Sequence, residues 1–193
     1  DVLTIAHESG HGIHSKLSSI QSELNNGYPT SLAEVASTFF ENFVLEQILE
    51  NTDEKNRVAI LDQKIMNDVS SIFRQTAFLN FEKELHSQFR NKGYLDKEYI
   101  SDLFAKHMRS YMGDSVDIDD SMRYGWIYVG HFRKFFYVYS YACGLLISKA
   151  LNNMIKEDGK NVEILKQFLS SGSTKSPKEI FANMGIDITD KEF

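Results

Sequence analysis

Residues 7–11 read H-E-S-G-H, so two histidines stand four positions apart and a glutamate directly follows the first of them. On an α-helix, residues four apart are separated by only about 40° around the axis, so both imidazoles can reach one metal ion. Glu8 points about 100° away from His7, where it can hold a metal-bound water without being a ligand itself. The spacing favours a zinc site over the alternative, an exposed histidine pair around a solvated glutamate.

A catalytic zinc ion needs a third protein ligand and keeps its fourth position for water. His14 lies on the same helical face as His7, but an unbroken helix rises about 10.5 Å between them. Zinc ligands sit only about 2 Å from the ion, so His14 cannot converge with His7 on one centre. We therefore expect His14 to pack in the interior or to support the site from outside the ligand set.

Glu34 and Glu41 are better candidates, because they are seven residues apart on one face of a second predicted helix. The small residues Ala33, Ala36 and Ser37 would let this helix approach the first closely. Glu34 is the candidate third ligand, and Glu41 is a candidate acceptor for a histidine N–H. From local sequence alone Glu34 could instead form a capping box with Ser31, and Glu41 could be an exposed surface glutamate.

Residues 124–141 hold nine aromatic side chains in 18 positions, together with His131. Aromatic residues at helical spacing usually pack in a core, and most of these are expected to do so. Tyr137 and Tyr141 are four apart and can share a face near His131. Hydroxyl and imidazole donors of this kind can hold a carbonyl oxygen as it becomes an oxyanion.

The period of the apolar residues is helical throughout and strand alternation is not sustained, which predicts an all-α fold without internal domain linkers. Ser31 is expected to begin the second helix and Asp96 to cap a later one. Residues 113–120 are expected to form a loop. Helices are predicted over residues 2–17, 32–49, 55–91, 96–112, 124–151, 162–169 and 177–184.

The composition is that of a globular protein with a net charge of −6 and 42% hydrophobic residues. An acidic chain gives no reason to expect nucleic acid or an anionic membrane as partner. The single cysteine, Cys143, cannot form an internal disulfide, which fits a reducing cytoplasm. No apolar run approaches the roughly 20 residues of a membrane span, and no signal peptide is recognisable. We therefore predict a cytoplasmic protein.

Several motifs together resemble the thimet oligopeptidase family of zinc peptidases, specifically the C-terminal catalytic part of its oligoendopeptidase members. H-E-x-x-H occurs in many unrelated peptidases, but H-E-x-G-H-x-x-H followed at this distance by A-E-x-A-S-T is far more specific. The resemblance covers nearly the whole chain. Its motifs are residues 4–11 (TIAHESGH), 33–38 (AEVAST), 72–76 (IFRQT), 131–132 (HF), 136–144 (FYVYSYACG) and 168–173 (FLSSGS).

The resemblance implies a zincin-like helical domain in which the H-E-x-x-H helix packs on a glutamate-bearing second helix. It implies that His7, His11 and Glu34 bind Zn²⁺ and that Glu8 is the general base. It also implies that short peptides are the substrates.

The resemblance further implies that His131 and tyrosines after it contact the substrate carbonyl. Family members often carry tyrosine two or three positions after this histidine, where this chain has Arg133 and Lys134. That departure leaves open which tyrosine makes the contact, the candidates being Tyr137, Tyr139 and Tyr141.

The chain opens with Asp1, a few residues before the metal-binding motif, whereas family members have long helical N-terminal regions that form the opposite wall of a substrate channel. We therefore expect residues 1–193 to be the C-terminal part of a metallopeptidase catalytic domain and a fragment of a longer chain. The first functional hypothesis is a zinc-dependent endopeptidase acting on oligopeptides. Its alternatives are a zinc-binding helical segment without peptidase activity of its own and a metal-free helical interaction module.

Overall fold

A computed structural model describes residues 2–190. Its α-helices are α1 (Val2–Ser18), α2 (Thr30–Glu50), α3 (Glu54–Val69), α4 (Gln75–Lys92), α5 (Lys97–Met112), α6 (Asp120–Arg123), α7 (Tyr139–Glu157), α8 (Val162–Ser170) and α9 (Pro177–Asn183). No strand occurs in this part of the chain, so the all-α prediction is confirmed. Among residues 2–190, no helix combines the length and the hydropathy that a membrane span requires.

Most helix boundaries follow the sequence signals. Asp96 caps α5 by accepting a hydrogen bond from the Tyr99 backbone N–H, as predicted. Ser176 and Glu179 form a capping box at the start of α9, where Pro177 occupies the first turn. The helix predicted over residues 55–91 has the right extent, but a π-helical turn over Ser70–Arg74 joins α3 to α4 within it.

The prediction of one helix over residues 124–151 is wrong in its first half. Short 3₁₀ turns occupy Gly125–Ile127 and Gly130–Lys134, and α7 begins only at Tyr139. Phe135 and Phe136 have positive φ angles of 43° and 57°, which an α-helix cannot contain. Tertiary packing overrides the local helical pattern here, because Trp126 and Phe132 pack against the core of unit 2. The expectation that most of the aromatic side chains are in the core is wrong for Tyr128 and Phe135, which are exposed.

The loop predicted over residues 113–120 is nearly right. A 3₁₀ turn occupies Gly113–Ser115, and the Asp119 side chain caps α6 by accepting the Met122 N–H.

The chain divides into two units. Unit 1 comprises the chain up to Gln63 and from Cys143 onward, and unit 2 runs from Lys64 to Ala142. In unit 1 an apolar core gathers around α2, α7, α8 and α9, with Phe168 and Phe181 almost completely buried. In unit 2 the core is aromatic, with Phe78, Phe81 and Phe104 packed on one another and against Phe132.

Candidate metal centre

Helix α1 carries both histidines of the H-E-x-x-H motif on one face. The ring centroids of His7 and His11 lie 5.0 Å apart, with their planes at 85° to each other. Both side chains are partly buried, whereas Glu8 between them is exposed. The helix thus presents two imidazoles to a neighbouring element and keeps the Glu8 carboxylate in contact with solvent.

Helix α2 supplies a carboxylate to the same place. Glu34 is only 6% exposed, and its Oε2 lies 3.6 Å from Nε2 of His7. One ligand atom from each of His7, His11 and Glu34 can be chosen so that all three lie within 4.8 Å of one another. The structure therefore brings together the three residues predicted as metal ligands.

The capping-box alternative for Glu34 is wrong. Helix α2 begins at Thr30, its N-cap is Pro29, and no side chain caps it. Ser31 is therefore inside the helix and buried, so it does not occupy the N-cap position that a capping box requires. The Glu34 carboxylate is directed to His7, where the Ser37 hydroxyl also donates a hydrogen bond to its Oε2 at 3.3 Å.

Two glycines allow the helices to approach closely enough for this convergence. A Cβ on Gly10 would lie 2.7 Å from Cα of Ser37, so only glycine permits this contact between α1 and α2. A Cβ on Gly144 would lie 2.8 Å from Cβ of Glu34. The backbone of α7 therefore contacts Glu34 directly at this glycine. The close approach was predicted from the small residues of α2 alone, although a glycine inside a helical pattern also indicates close packing.

Glu41 orients the His7 ring. Its Oε2 accepts a hydrogen bond from Nδ1–H of His7 at 3.1 Å, so Nε2, which lies 3.6 Å from Oε2 of Glu34, is the ring nitrogen that can bind a metal ion. This is the contact predicted for Glu41. The hydrogen bond to Glu41 raises the pKa of His7, with further contributions from the negative charges of Glu34 and Glu8, against a lowering by burial.

The donor set fits a zinc ion. Ligand atoms about 2.0–2.1 Å from a tetrahedral centre are about 3.4 Å apart, and the 3.6 Å between His7 Nε2 and Glu34 Oε2 is close to that value. Two imidazoles and one carboxylate are a known set for catalytic zinc and leave one position for another group. His7 also has the carboxylate acceptor on its second nitrogen that metal-binding histidines usually have.

His14 lies outside this cluster, as expected. Its ring is completely buried and stacks on Tyr28, with centroids 3.6 Å apart and planes at 4°. Neither ring nitrogen has a hydrogen-bond partner among residues 2–190. Burial lowers the pKa of His14 to about 4, so the ring packs as a neutral aromatic group at neutral pH.

In unit 2 the structure brings His131, Tyr137 and Tyr141 together. The Tyr141 hydroxyl and Nε2 of His131 are 3.0 Å apart. The Tyr137 ring stacks on His131 at 5.2 Å with planes at 5°, and it lies edge-on to Tyr141 at 5.5 Å. The two tyrosines do not share a helical face as predicted, because Tyr137 precedes α7. Tyr139, the third candidate, is half exposed.

Comparisons with known proteins agree with these observations. The model of peptidase family M3 matches residues 1–193. The chain is 33% identical to oligopeptidase PepF of Bacillus subtilis and 31% identical to group B oligopeptidase PepB of Streptococcus agalactiae. All of this chain is covered in both alignments, but only 29% and 33% of those relatives.

A solved structure leads to the same family. The crystal structure of oligoendopeptidase-F from Enterococcus faecium matches with a TM-score of 0.79 and 29% sequence identity. The match covers 97% of this chain and 34% of that one, so the chain spans about a third of the length of its relatives. Because the family model extends over every residue, the chain belongs to peptidase family M3, a metallopeptidase family.

Proposed function

We propose that the chain carries the zinc-binding and catalytic part of a metalloendopeptidase that hydrolyses peptide bonds in oligopeptides. The observation that carries the proposal is the convergence of His7, His11 and Glu34 from two helices, with Glu41 on the outer nitrogen of His7. These three residues would hold Zn²⁺, which supplies Lewis-acid activation of water and of the peptide carbonyl.

Glu8 is the proposed general base. It directly follows His7, it lies outside the cluster of His7, His11 and Glu34, and its exposed carboxylate can exchange a proton with water and substrate. It takes a proton from the water that attacks the scissile carbonyl carbon, and it then delivers that proton to the leaving amine nitrogen.

His131, Tyr137 and Tyr141 are the proposed donors to the carbonyl oxygen. That oxygen gains negative charge during attack, and preorganised N–H and O–H donors stabilise it most where they need not reorganise. The contact between the Tyr141 hydroxyl and His131 supports this role, since it restrains both donor groups. The stacked Tyr137 ring restrains His131 further.

The substrate class follows from the relatives, whose names describe them as oligopeptidases or oligoendopeptidases. We propose short peptides as substrates and a cytoplasmic location, without a nucleic-acid or membrane partner. The acidic charge and the single cysteine support this assignment. We also propose that residues 1–193 are the C-terminal part of a catalytic domain within a longer chain.

One observation favours a second candidate function. Because the chain spans about a third of its relatives, it could bind zinc without cleaving peptides by itself. Both candidates require the same metal centre, and they differ only in turnover.

The test combines metal analysis with cleavage of an internally quenched peptide. We expect one zinc per chain, and Glu8→Gln should keep that zinc while cleavage falls about 10²–10⁴-fold, the usual contribution of a general base. Glu23→Gln, at an exposed glutamate in the turn after α1, is the matched control and should leave both unchanged. Full activity of Glu8→Gln would disprove its role, and zinc without turnover in the wild type would establish the second candidate.

A further inference from the structure

The two residues immediately before Tyr137 have positive φ angles, which residues other than glycine seldom adopt. Phe135 and Phe136 are consecutive residues with φ angles of 43° and 57°. Residues with a Cβ seldom adopt such angles, and two in succession persist only where the surroundings hold them. Local sequence offers no glycine at either position, so the restraint must come from elsewhere in unit 2.

Glu82 on helix α4 contacts this turn directly. Its Oε1 accepts a hydrogen bond from the Phe136 backbone N–H at 2.6 Å, across 54 positions of sequence. The His86 ring, one turn further along α4, lies 5.0 Å from the Phe136 ring and 6.3 Å from the Phe135 ring. One face of α4 therefore contacts both the backbone and the side chains of the strained turn.

Burial of the Glu82 side chain costs desolvation free energy, which its hydrogen bond to Phe136 offsets only in part. The residue is 1% exposed and directly follows Phe81, one of the most buried rings of the unit 2 core. Its Oε2 is buried without a hydrogen-bond partner in the described part of the chain, and Nε2 of His86 lies 4.0 Å from Oε1. A carboxylate in an aromatic core is retained against a large desolvation penalty.

We propose that Glu82 is a positioning residue for the substrate-binding donors of this peptidase. By accepting a hydrogen bond from the Phe136 N–H, it holds the strained turn at residues 135–136. The turn then determines the position and direction of the Tyr137 side chain. Tyr137 then stacks on His131, whose Nε2 contacts the Tyr141 hydroxyl. The catalytic significance of Glu82 rests on the proposed function, whereas its structural link to Tyr137 and His131 does not.

The direct test is NMR spectroscopy of the 193-residue chain, which needs neither zinc nor turnover. In the wild type the Phe136 amide should exchange slowly with solvent, and the His131 ring protons should carry the upfield shift caused by a stacked Tyr137 ring. A rapidly exchanging Phe136 amide in the folded wild type would overturn the proposal without any variant.

Two substitutions then separate positioning from general stability. Glu82→Leu fills the volume without an acceptor and should lose both NMR signatures, whereas Glu82→Gln keeps a carbonyl oxygen and should retain both. Leu103→Ala, in the same core but on helix α5, is the control that lowers stability but should leave both signatures intact. Retention of the His131 shift in Glu82→Leu would overturn the proposal.

Peptide cleavage provides a further readout for the active enzyme. Glu82→Leu should lower kcat about 10-fold or more with little change in KM, because misplaced donors lose their stabilisation of the transition state rather than of bound peptide. Glu82→Gln should restore most of kcat. If the NMR signatures respond as expected but kcat does not, positioning is right and the donor role of the aromatic residues is wrong.

Discussion

The two units hold their candidate functional residues in different ways. In unit 1 the side chains of His7, His11 and Glu34 project from two regular helices, and their convergence depends on how closely those helices pack. In unit 2 the cluster of His131, Tyr137 and Tyr141 spans a 3₁₀ turn, a strained turn and the first residues of α7.

The difference shows how sequence spacing is converted into geometry. On a regular helix the four-residue spacing of His7 and His11 determines that they share a face, so contact with one partner helix completes the site. In irregular backbone the spacing of Tyr137 and Tyr141 determines nothing by itself. Their arrangement needs anchors from distant residues such as Glu82.

Each unit also contains a histidine ring stacked on a tyrosine ring: His14 on Tyr28 in unit 1, and His131 on Tyr137 in unit 2. The largest expected effect is the loss of stability at low pH that His14 causes. His14 has a pKa near 4 in the folded chain and about 6.5 when unfolded, so only the unfolded state gains a proton between these values. The free energy of unfolding should therefore be unaffected by His14 above pH 6.5 and should fall by about 3 kcal/mol as the pH drops to about 4.

Urea unfolding of the wild type and of His14→Leu at several pH values checks this expectation. The other histidines stay in both proteins, so the difference in their pH dependence isolates His14. A parallel pH dependence in the two proteins would show that burial of His14 does not determine acid stability.

Substitution of Gly10 tests whether helix approach controls the metal centre. In Gly10→Ala the new Cβ meets backbone atoms of Ser37 and Ala36, so α1 must move away from α2, at a cost of about 2 kcal/mol. Zinc affinity should fall at the same time, because His7 and His11 move away from Glu34.

Gly12→Ala is the matched control for Gly10→Ala on the same helix. A Cβ at Gly12 meets nothing within 4 Å, so this change should stabilise the chain by about 0.5–1 kcal/mol through helix propensity and leave zinc affinity unchanged. Zinc affinity is measured by competition with a chelator. Equal affinities in the two variants would show that zinc binding does not depend on how closely α1 approaches α2.

The smallest expected effect probes the strained turn of unit 2. The Phe135 ring is 76% exposed, so Phe135→Gly loses little packing and relieves the cost of a positive φ, about 1–2 kcal/mol. Glycine also makes the unfolded chain more flexible, which offsets part of this gain. We therefore expect the free energy of unfolding, measured with urea, to rise by about 0.5 kcal/mol.

Tyr128→Gly is the control for Phe135→Gly, because Tyr128 is also a highly exposed aromatic residue but has an ordinary φ of −81°. It should destabilise the chain by about 0.5–1 kcal/mol. The same loss at both positions would mean that the turn is not strained.

Much of unit 1 could be predicted because its signals are local. The H-E-x-x-H spacing, the following turn and the small residues of α2 together predict the association of His7, His11 and Glu34. The capping-box alternative could not be dismissed locally, since Ser31 and Glu34 have the right spacing and only the start of α2 at Thr30 separates the two roles.

Unit 2 was less predictable for a physical reason. Residues 124–138 contain few helix breakers, yet packing of Phe132 against Phe78 and Phe81 outweighs the weak preferences of the local backbone. Glu82 gave no sequence signal at all, because a glutamate within a helix is ordinary and its partner lies 54 positions away.

The sequence by itself determined the helical class and which residue types could bind a metal, because these depend on composition, period and short spacing, and its motifs carried the resemblance to the family. Only the tertiary structure decided that Glu34 points toward His7, that Gly10 and Gly144 bring backbones into contact, and that Glu82 holds the turn before Tyr137. These features depend on contacts between residues far apart in the chain, whose distances follow from packing and not from the order of residues.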